Sequence, residues 1–318
     1  MDTHGRKSAV ALLSVISNST LVVLKLVVGI LTGSVSIVSE AIHSGVDLLA
    51  AIIALFAVKT SGKPADEDHP FGHEKYENIS GTVEALLIFL AAGWIIFEAI
   101  KRLQHPEPLE DIGLGVGIML FSSVANIIVS KRLFKVGKET DSVALQADAW
   151  HLRTDVYTSA GVMVGLVIIL IGHQVAPSVN LSWVDPIAAM AVALLIVKAA
   201  YDLTVQSGRD LLDVSLAAPE EELIRNHIRQ WVPVVRGFHK LKTRKSGAHR
   251  FVQFHMLVDA RMSVEKSHRL HDEVVLSIKD HFPNSTVTIH MEPCDKTCPE
   301  DCLLGCMLTN EQHDEKGP

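Results

Sequence analysis

The stretch 35–58, VSIVSEAIHSGVDLLAAIIALFAV, is almost entirely apolar, yet it contains His43 and Asp47. A helix needs roughly 20 mostly apolar residues to cross the hydrocarbon core of a bilayer. Five more blocks of similar character lie around this stretch, at about 9–31, 81–100, 112–130, 143–171 and 183–205. Six such blocks leave too few polar faces to cover the core of a soluble protein. The sequence therefore predicts an α-helical membrane protein with six transmembrane helices.

The composition of the whole chain excludes several other classes of protein. The chain has 318 residues, of which 20% are charged and 5% aromatic, and the apolar residues are concentrated before about residue 206. This uneven distribution excludes a disordered chain, a disulfide-rich secreted fold and an ordinary soluble enzyme. The net charge of -7 indicates no nucleic-acid partner. All four cysteines lie in the last 25 residues, so none can cross-link the apolar part.

Lysine and arginine are distributed unequally between the two sides of the predicted spans. The amino terminus and the intervals 59–78 and 131–138 contain nine of them, whereas the turn 32–34 and the loop 172–182 contain none. Loops on the cytoplasmic side of a membrane carry the excess of these residues. The sequence therefore predicts a multi-pass protein with both termini in the cytoplasm.

Two of the spans contain the same short motif, His-x-x-x-Asp. It comprises His43 and Asp47 in the second span and His151 and Asp155 in the fifth. Residues four apart share one face of a helix, so two such helices facing each other would offer two imidazoles and two carboxylates around one point. That donor set suits tetrahedral zinc better than octahedral magnesium. The alternative is that each pair is a local helix contact or an interhelical hydrogen bond.

From about residue 208 the pattern becomes that of a small soluble domain. Pro219 and the acidic residues after it open a helix, and the stretches 237–245 and 250–259 alternate as strands. Ser263 can cap a helix that runs to Phe282, and a short strand at 286–291 closes the domain. The order αββαβ predicts a compact α+β fold. We therefore expect a transport domain at 1–207, a cytoplasmic metal-binding and dimerisation domain at 208–293, and a flexible cysteine-containing tail at 294–318.

These motifs, together with the loop 64–75 (PADEDHPFGHEK), resemble the cation diffusion facilitator family, in its prokaryotic zinc- and iron-type members, over roughly residues 8 to 293. The resemblance implies a homodimeric metal-cation/proton antiporter, not an enzyme, with a metallochaperone-like carboxyl-terminal module. Divalent cations and protons would be the transported ions, and the lipid bilayer the surroundings. The loop 130–141 lacks the histidine-rich stretch of many eukaryotic members, which favours a protein of the cytoplasmic (inner) membrane.

The resemblance also implies three metal sites. The transport site would comprise His43, Asp47, His151 and Asp155. A loop site would comprise Asp66, His69 and His73, although from the residues alone a solvated polar turn is favoured there. A site in the carboxyl-terminal domain would comprise His239, His255, His268, His290 and Glu292. Zinc would then be both the substrate and a structural or regulatory ion.

One residue of these implied sites departs from the family pattern, and one implied salt bridge has two possible partners. Glu292 stands where close relatives have Asp, so the geometry of the third site is in question. Lys75 matches a lysine that forms an interlocking salt bridge in some relatives. Asp213 is its candidate partner here, and Asp210 is an equal alternative.

The tail carries a ladder of thiols that lies outside the family pattern. The four residues repeat every fourth position: Cys294, Cys298, Cys302 and Cys306. This spacing would line one helical face, but Pro299 and Gly305 argue against a continuous helix. Accessory metal capture and a disordered, reduced tail therefore remain alternatives.

The leading hypothesis for function is zinc efflux by antiport with protons. The alternatives are a membrane-anchored metal sensor or binding protein, and an antiporter whose main substrate is Fe²⁺, Cd²⁺, Co²⁺ or Mn²⁺. A sensor needs no ligands buried in its membrane anchor, so the paired motifs argue against it. A membrane-bound metallohydrolase is disfavoured because no nucleophile or positioned general base is recognisable.

Overall fold

The computed structural model describes residues 3–32, 35–104, 113–175, 183–294 and 305–308. Contacts between residues divide the chain into two compact units, Met1–Gly208 and Arg209–Pro318. The described part of the first unit is helical, and the second combines helices with a three-stranded sheet. This is the α-helical membrane fold with a small α+β domain that the sequence predicts.

Six long helices make up the first unit, one for each apolar block. They are α1 (Thr3–Thr32), α2 (Val35–Ser61), α3 (Lys75–Gln104), α4 (Gly113–Glu139), α5 (Val143–Val175) and α6 (Val184–Leu211). Several of these helices are longer than the apolar block that predicts them. The additional turns carry polar side chains and stay helical because their backbone hydrogen bonds form within the helix. A helix of 30 residues, such as α1 or α3, is about 45 Å long and exceeds the ~30 Å hydrocarbon core.

Length and composition identify most of these helices as able to cross a membrane. Among the residues that the structure describes, four segments qualify: Thr3–Leu31, Ala41–Ser61, Lys75–Lys101 and Pro186–Leu211. The amino-terminal half of α5 carries Asp148, Arg153 and Asp155 instead. Charged side chains at such positions mark a functional surface inside a bundle.

Small side chains bring the helices together, as is usual for helices in a bilayer. One buried cluster joins α1, α2, α4 and α5 and includes Ala11, Ala57 and Ala144. A second joins α3, α5 and α6 and includes Ala85 and Ala147. Large apolar side chains lie on the outside of the unit, as expected for a surface that faces lipid; they include Leu90, Trp94 and Leu194.

The second unit follows the predicted order αββαβ. Its elements are α7 (Ala218–Arg229), β1 (Gly237–Ser246), β2 (His249–Asp259), α8 (Val264–His281) and β3 (Ser285–Cys294). Strand β2 is central, antiparallel to β1 and parallel to β3. Ser263 caps α8, as predicted, by accepting a hydrogen bond from the Lys266 amide. Apolar faces of α7 and α8 cover Phe254 and Met256 of the sheet.

Residues 305–308 of the carboxyl-terminal tail are attached to the sheet. Most of the rest of the tail lies outside the described residues, so the flexible tail stays a prediction. The Phe238 amide donates to the Gly305 carbonyl (3.1 Å), and the Met307 amide donates to the Arg236 carbonyl (2.9 Å). These bonds extend the sheet beyond the edge of β1 and cover that edge. Neither Cys294 nor Cys306 forms a disulfide among the described residues. Cys298 and Cys302 lie outside the described residues, so the predicted thiol site stays a prediction.

Candidate metal sites

The structure brings the four residues of the two intramembrane motifs together. The Nε2 atom of His151 lies 3.1 Å from Oδ1 of Asp47, and Nε2 of His43 lies 3.8 Å from Oδ1 of Asp155. Each imidazole of one helix therefore faces the carboxylate of the other. The ligand atoms of His43, Asp47 and Asp155 all lie within 4.8 Å of one another.

The spacing of these atoms suits a tetrahedral ion. Donors bound at 2.0–2.2 Å in a tetrahedral site lie about 3.3 Å apart. The two cross-helix distances, 3.1 and 3.8 Å, lie on either side of that value. Asp47 and His151 are buried, whereas His43 is exposed. A cation could therefore be held by buried donors on one side and approached from the side of His43.

Polar side chains line a cavity of about 170 Å³ beside this cluster. It reaches from the cluster to Ser122 and Asn126 of α4 and to Ser159 of α5. The Asn126 amide points its nitrogen at Oδ2 of Asp155 (3.5 Å). Sequence reasoning missed Asn126, although Ser122, Asn126 and Ser130 form a stripe at four-residue spacing that could have revealed a polar face of α4.

The loop between α2 and α3 forms a second cluster, built on Asp66. Its Oδ1 atom lies 3.1 Å from Nδ1 of His69, and its Oδ2 atom lies 3.2 Å from Nε2 of His73. Gly72 has a φ of 91°, which a residue with a side chain rarely adopts, and a Cβ there would collide with Glu74. The turn of the loop therefore brings the three predicted residues, Asp66, His69 and His73, next to one another.

Asp66 is held in its ionised form. The backbone amide of His69 donates a hydrogen bond of 2.7 Å to its carboxylate and lowers the pKa of Asp66. The Nδ1 atom of His73 is buried and has no hydrogen-bond partner among the described residues. A carboxylate that faces two imidazoles offers an N₂O donor set, which zinc accepts with a fourth ligand from water.

Three histidines of the second unit form one row across the sheet. Register pairs His239 with His255 and His255 with His290. Glu292, next but one after His290, lies 2.8 Å from Nε2 of His239 and 2.7 Å from Nδ1 of His255. The distance from Glu292 to Nε2 of His290 is 3.6 Å. Four of the five predicted residues therefore lie together around the Glu292 carboxylate.

The glutamate at position 292 contacts two histidines of the row, His239 and His255. Partial burial raises the pKa of Glu292, but hydrogen bonds from His255 and His239 outweigh that effect and lower it overall. The carboxylate is thus ionised and bridges two imidazoles. One further nitrogen, Nδ1 of His239, is buried without a hydrogen-bond partner among the described residues. This donor set fits a bound metal ion.

The structure places His268 apart from that row. It lies on α8, where its Nε2 atom is 3.7 Å from Asp272 and its ring stacks on that of His271. A hydrogen bond from the His271 ring lowers the pKa of Asp272. The assignment of His268 to the same site as His255 stays a prediction within a single chain.

The predicted salt bridge of Lys75 also stays a prediction. Lys75 is the first residue of α3. Asp213 accepts a hydrogen bond of 3.3 Å from Arg244 in the second unit.

Comparison with known proteins places both units in one family. The model of the cation efflux transmembrane domain matches residues 11–212, and the model of the cation efflux cytoplasmic domain matches residues 216–294. An uncharacterized transporter of Synechocystis, sll1263, is 35% identical over 272 residues, 86% of each chain. The cation-efflux pump FieF of Salmonella newport is 32% identical over 298 residues, 92% of this chain and 95% of that one. The solved metal-bound C-terminal domain of the CzcD transporter from Thermotoga maritima is 25% identical, covers 24% of this chain and 94% of that one, and has a TM-score of 0.23.

Proposed function

Because the chain belongs to the cation efflux, or cation diffusion facilitator, family and is thus a divalent metal cation efflux transporter, we propose that its substrate is zinc, exported in exchange for protons. The observation that carries this proposal is the crossed pairing of the two motifs. Asp47 faces His151 and Asp155 faces His43, so each half of the cluster combines a nitrogen and an oxygen donor from two helices. Two imidazoles and two carboxylates favour zinc over harder ions.

The same donors explain how metal and protons would exchange. An imidazole must be neutral to bind a metal, so protons that reach His43 or His151 displace the cation, and the cation displaces protons. Asp47 and Asp155 balance the charge of either occupant. If the helices α2 and α5 alternately open the cluster to each side of the membrane, the two fluxes are coupled at one point.

The direction of transport follows from the distribution of basic residues. The loop that holds Asp66 and both chain termini belong to the lysine- and arginine-rich side, which the positive-inside rule places in the cytoplasm of an inner-membrane protein. The inward proton gradient would then drive zinc out of the cell. The loop cluster and the Glu292 cluster would both bind cytoplasmic zinc.

The second unit would act in a homodimer. The residues His239, His255 and Glu292 would hold a resident zinc ion, which would stiffen the sheet through its imidazole donors. An ion that binds only the folded form stabilises it by mass action. His268 belongs to a separate group with His271 and Asp272. In the proposed dimer it would complete the row of the partner subunit.

Metal uptake by reconstituted vesicles tests the proposal. The purified protein, in proteoliposomes with an imposed pH gradient, should take up Zn²⁺ in preference to Cd²⁺, Fe²⁺, Co²⁺ and Mn²⁺. Collapse of the gradient by an ionophore should stop uptake. A preference for Fe²⁺ or Mn²⁺ would overturn the assignment of zinc, and uptake that is indifferent to the gradient would overturn antiport.

The substitution His43→Asp should relax the preference for zinc. It replaces a nitrogen donor by oxygen and leaves a donor set of one imidazole and three carboxylates, which harder ions accept more readily. We expect the ratio of zinc to manganese flux to fall about tenfold in the same vesicles. An unchanged ranking of metals would contradict the proposed role of His43.

Removal of the cytoplasmic ligands should reduce zinc binding but preserve transport. The full chain with His255→Ala and Glu292→Ala should bind fewer zinc ions per protomer at equilibrium. It should also lose part of its zinc-dependent gain in thermal stability, which is about 2.7 kcal/mol for a site at 100 times its Kd. The control His281→Ala changes an α8 histidine that is outside the candidate groups. Equal zinc binding by the double variant and the control would reject the site.

A further inference from the structure

A series of buried polar side chains lies between the transport site and one end of the first unit. We call it the ladder; its members are Lys7, Glu77, Glu84 and Asp148, followed by the pair of His151 and Asp47. At that end, Nζ of Lys7 lies 2.9 Å from Oε1 of Glu77, and both side chains are buried. The hydroxyls of Ser61 and Ser142 also donate to Glu77. At the other end of the ladder, His151 faces Asp47. The ladder thus joins α1, α2, α3 and α5 along the inside of the bundle.

The middle of the ladder is a pair of buried carboxyl groups that the transport site does not use. Asp148 on α5 and Glu84 on α3 have no exposed surface, and they interact electrostatically. Asp148 precedes His151 by three residues, so it lies on the same face of α5, about 4.5 Å along the axis. It therefore stands between the transport site and the Lys7–Glu77 pair.

Few protein groups satisfy this carboxyl pair. The Ser80 hydroxyl donates to Oε1 of Glu84 (3.1 Å). Among the described residues, neither oxygen of Asp148 nor Oε2 of Glu84 has a hydrogen-bond partner. The Ser14 hydroxyl lies beside Asp148 and interacts with it, although not in the geometry of a hydrogen bond. The Asn18 amide nitrogen, one turn further along α1, has no hydrogen-bond partner among the described residues.

The polar groups near the carboxyl pair follow the buried face of α1. Ser14 and Asn18 lie on the buried face of α1, which also carries Lys7 at one end and Lys25 at the other. The neighbouring residues of α5 belong to apolar clusters, Ala149 to one and Ala147 to the other. Unsatisfied carboxyl groups are costly in an apolar interior and are retained inside membrane proteins where ions pass. Buried water commonly satisfies polar groups of this kind in proteins.

We propose that Glu84 and Asp148 form a staging position for the transported divalent cation, on a hydrated route between the cytoplasmic end and the transport site. This inference rests on the proposed function, because the His43–Asp155 cluster is the destination of the route. Carboxylate, hydroxyl and amide oxygens from Glu84, Asp148, Ser14 and Asn18 suit a cation that keeps part of its water.

Accessibility to a charged thiol reagent tests the route independently of transport. In the full chain with its four cysteines replaced by serine, Ser14→Cys should react with a membrane-impermeant methanethiosulfonate added on the cytoplasmic side of membrane vesicles. The matched control is Ile16→Cys, whose side chain is 55% exposed on the outer face of α1. We expect Ser14→Cys to react at least about tenfold faster, because thiolates need water to form. Equal rates would overturn the hydrated route.

Substitution of the carboxyl groups tests the staging position itself. Asp148→Asn and Glu84→Gln should each lower zinc flux about tenfold, whereas the Kd of the transport site should change less than about threefold. That Kd is measured by zinc titration in a background with Asp66→Ala and Glu292→Ala. Asp148→Glu should restore part of the flux. Two folded variants with normal flux would overturn the staging position.

The two tests distinguish this inference from the proposed function. If the unsubstituted protein transports zinc but Ser14→Cys is unreactive, the inference fails and the function stands. If the protein transports no divalent cation but Ser14→Cys reacts, the proposed function is wrong. The staging position is then wrong as well, because it has no transported cation to bind. Fast labelling together with reduced flux in Asp148→Asn would support both.

Discussion

Replacement of either carboxylate of the transport site, by Asp47→Ala or Asp155→Ala, should lower zinc flux more than about 100-fold. Loss of groups that merely orient metal ligands already costs roughly 10- to 100-fold, and these two residues face the imidazoles directly. The remaining donors would leave a dication uncompensated in a medium of low dielectric. The measurement is initial zinc uptake by proteoliposomes that contain equal amounts of each variant.

A second carboxylate of the same unit provides the control. Asp202 of α6 pairs with Lys198 one turn away (3.1 Å) and is exposed. Asp202→Ala should therefore retain zinc flux close to that of the unsubstituted protein. Robust flux through Asp47→Ala, or an equal loss in Asp202→Ala, would contradict the site.

Disruption of the buried Lys7–Glu77 pair should strongly destabilise the first unit. Removal of one member, by Lys7→Met or Glu77→Leu, leaves the other as an uncompensated buried charge, which typically costs about 3–5 kcal/mol. Glu77 also accepts hydrogen bonds from Ser61 and Ser142, so its loss would free two buried hydroxyls. Thermal unfolding in detergent, followed by size-exclusion chromatography, measures the effect.

Two comparisons make this prediction specific. The double variant with Lys7→Met and Glu77→Leu should be more stable than either single variant, because no buried charge is left unpaired. The exposed pair of Arg6 and Glu139 is the matched control, and its removal should cost about 1 kcal/mol or less. Single variants no less stable than Arg6→Met would show that the pair is not a buried charge pair.

The sequence predicts the helices and the motif faces because both depend on local periodicity. An apolar block of sufficient length has few alternatives to a membrane helix, and the spacing of His43 and Asp47 places both on one face whatever lies opposite. The αββαβ order is likewise readable, since Pro219 and Ser263 mark helix starts and the strands alternate.

The contacts between distant segments could not be read in this way. Nothing in the local pattern specifies that His43 faces Asp155 rather than Asp47, because that choice depends on how α2 and α5 pack. Lys7 contributes to the count of cytoplasmic basic residues, but its partner Glu77 is 70 residues away. The row of His239, His255 and His290 requires strand register, which includes an irregularity after His239.

Two further features could not be predicted from the sequence: the attachment of residues 305–308 to the sheet, and the burial of Asp148. The attachment of residues 305–308 to the edge of β1 consists of backbone hydrogen bonds, and a pattern of side chains does not predict such bonds. Asp148 lies within the fifth predicted span, but only the structure reveals that it is buried near Glu84, with no hydrogen-bond partner for either carboxylate oxygen among the described residues.

Proton movement driven by a zinc gradient is the sharpest test of exchange between the two ions. Proteoliposomes with no imposed pH gradient, loaded with a pH-sensitive dye, are given zinc on one side. We expect protons to leave the vesicles as zinc enters, and Asp155→Ala vesicles to show neither flux. Zinc entry without proton movement in the unsubstituted protein would contradict exchange of the two ions at the cluster of His43, Asp47, His151 and Asp155.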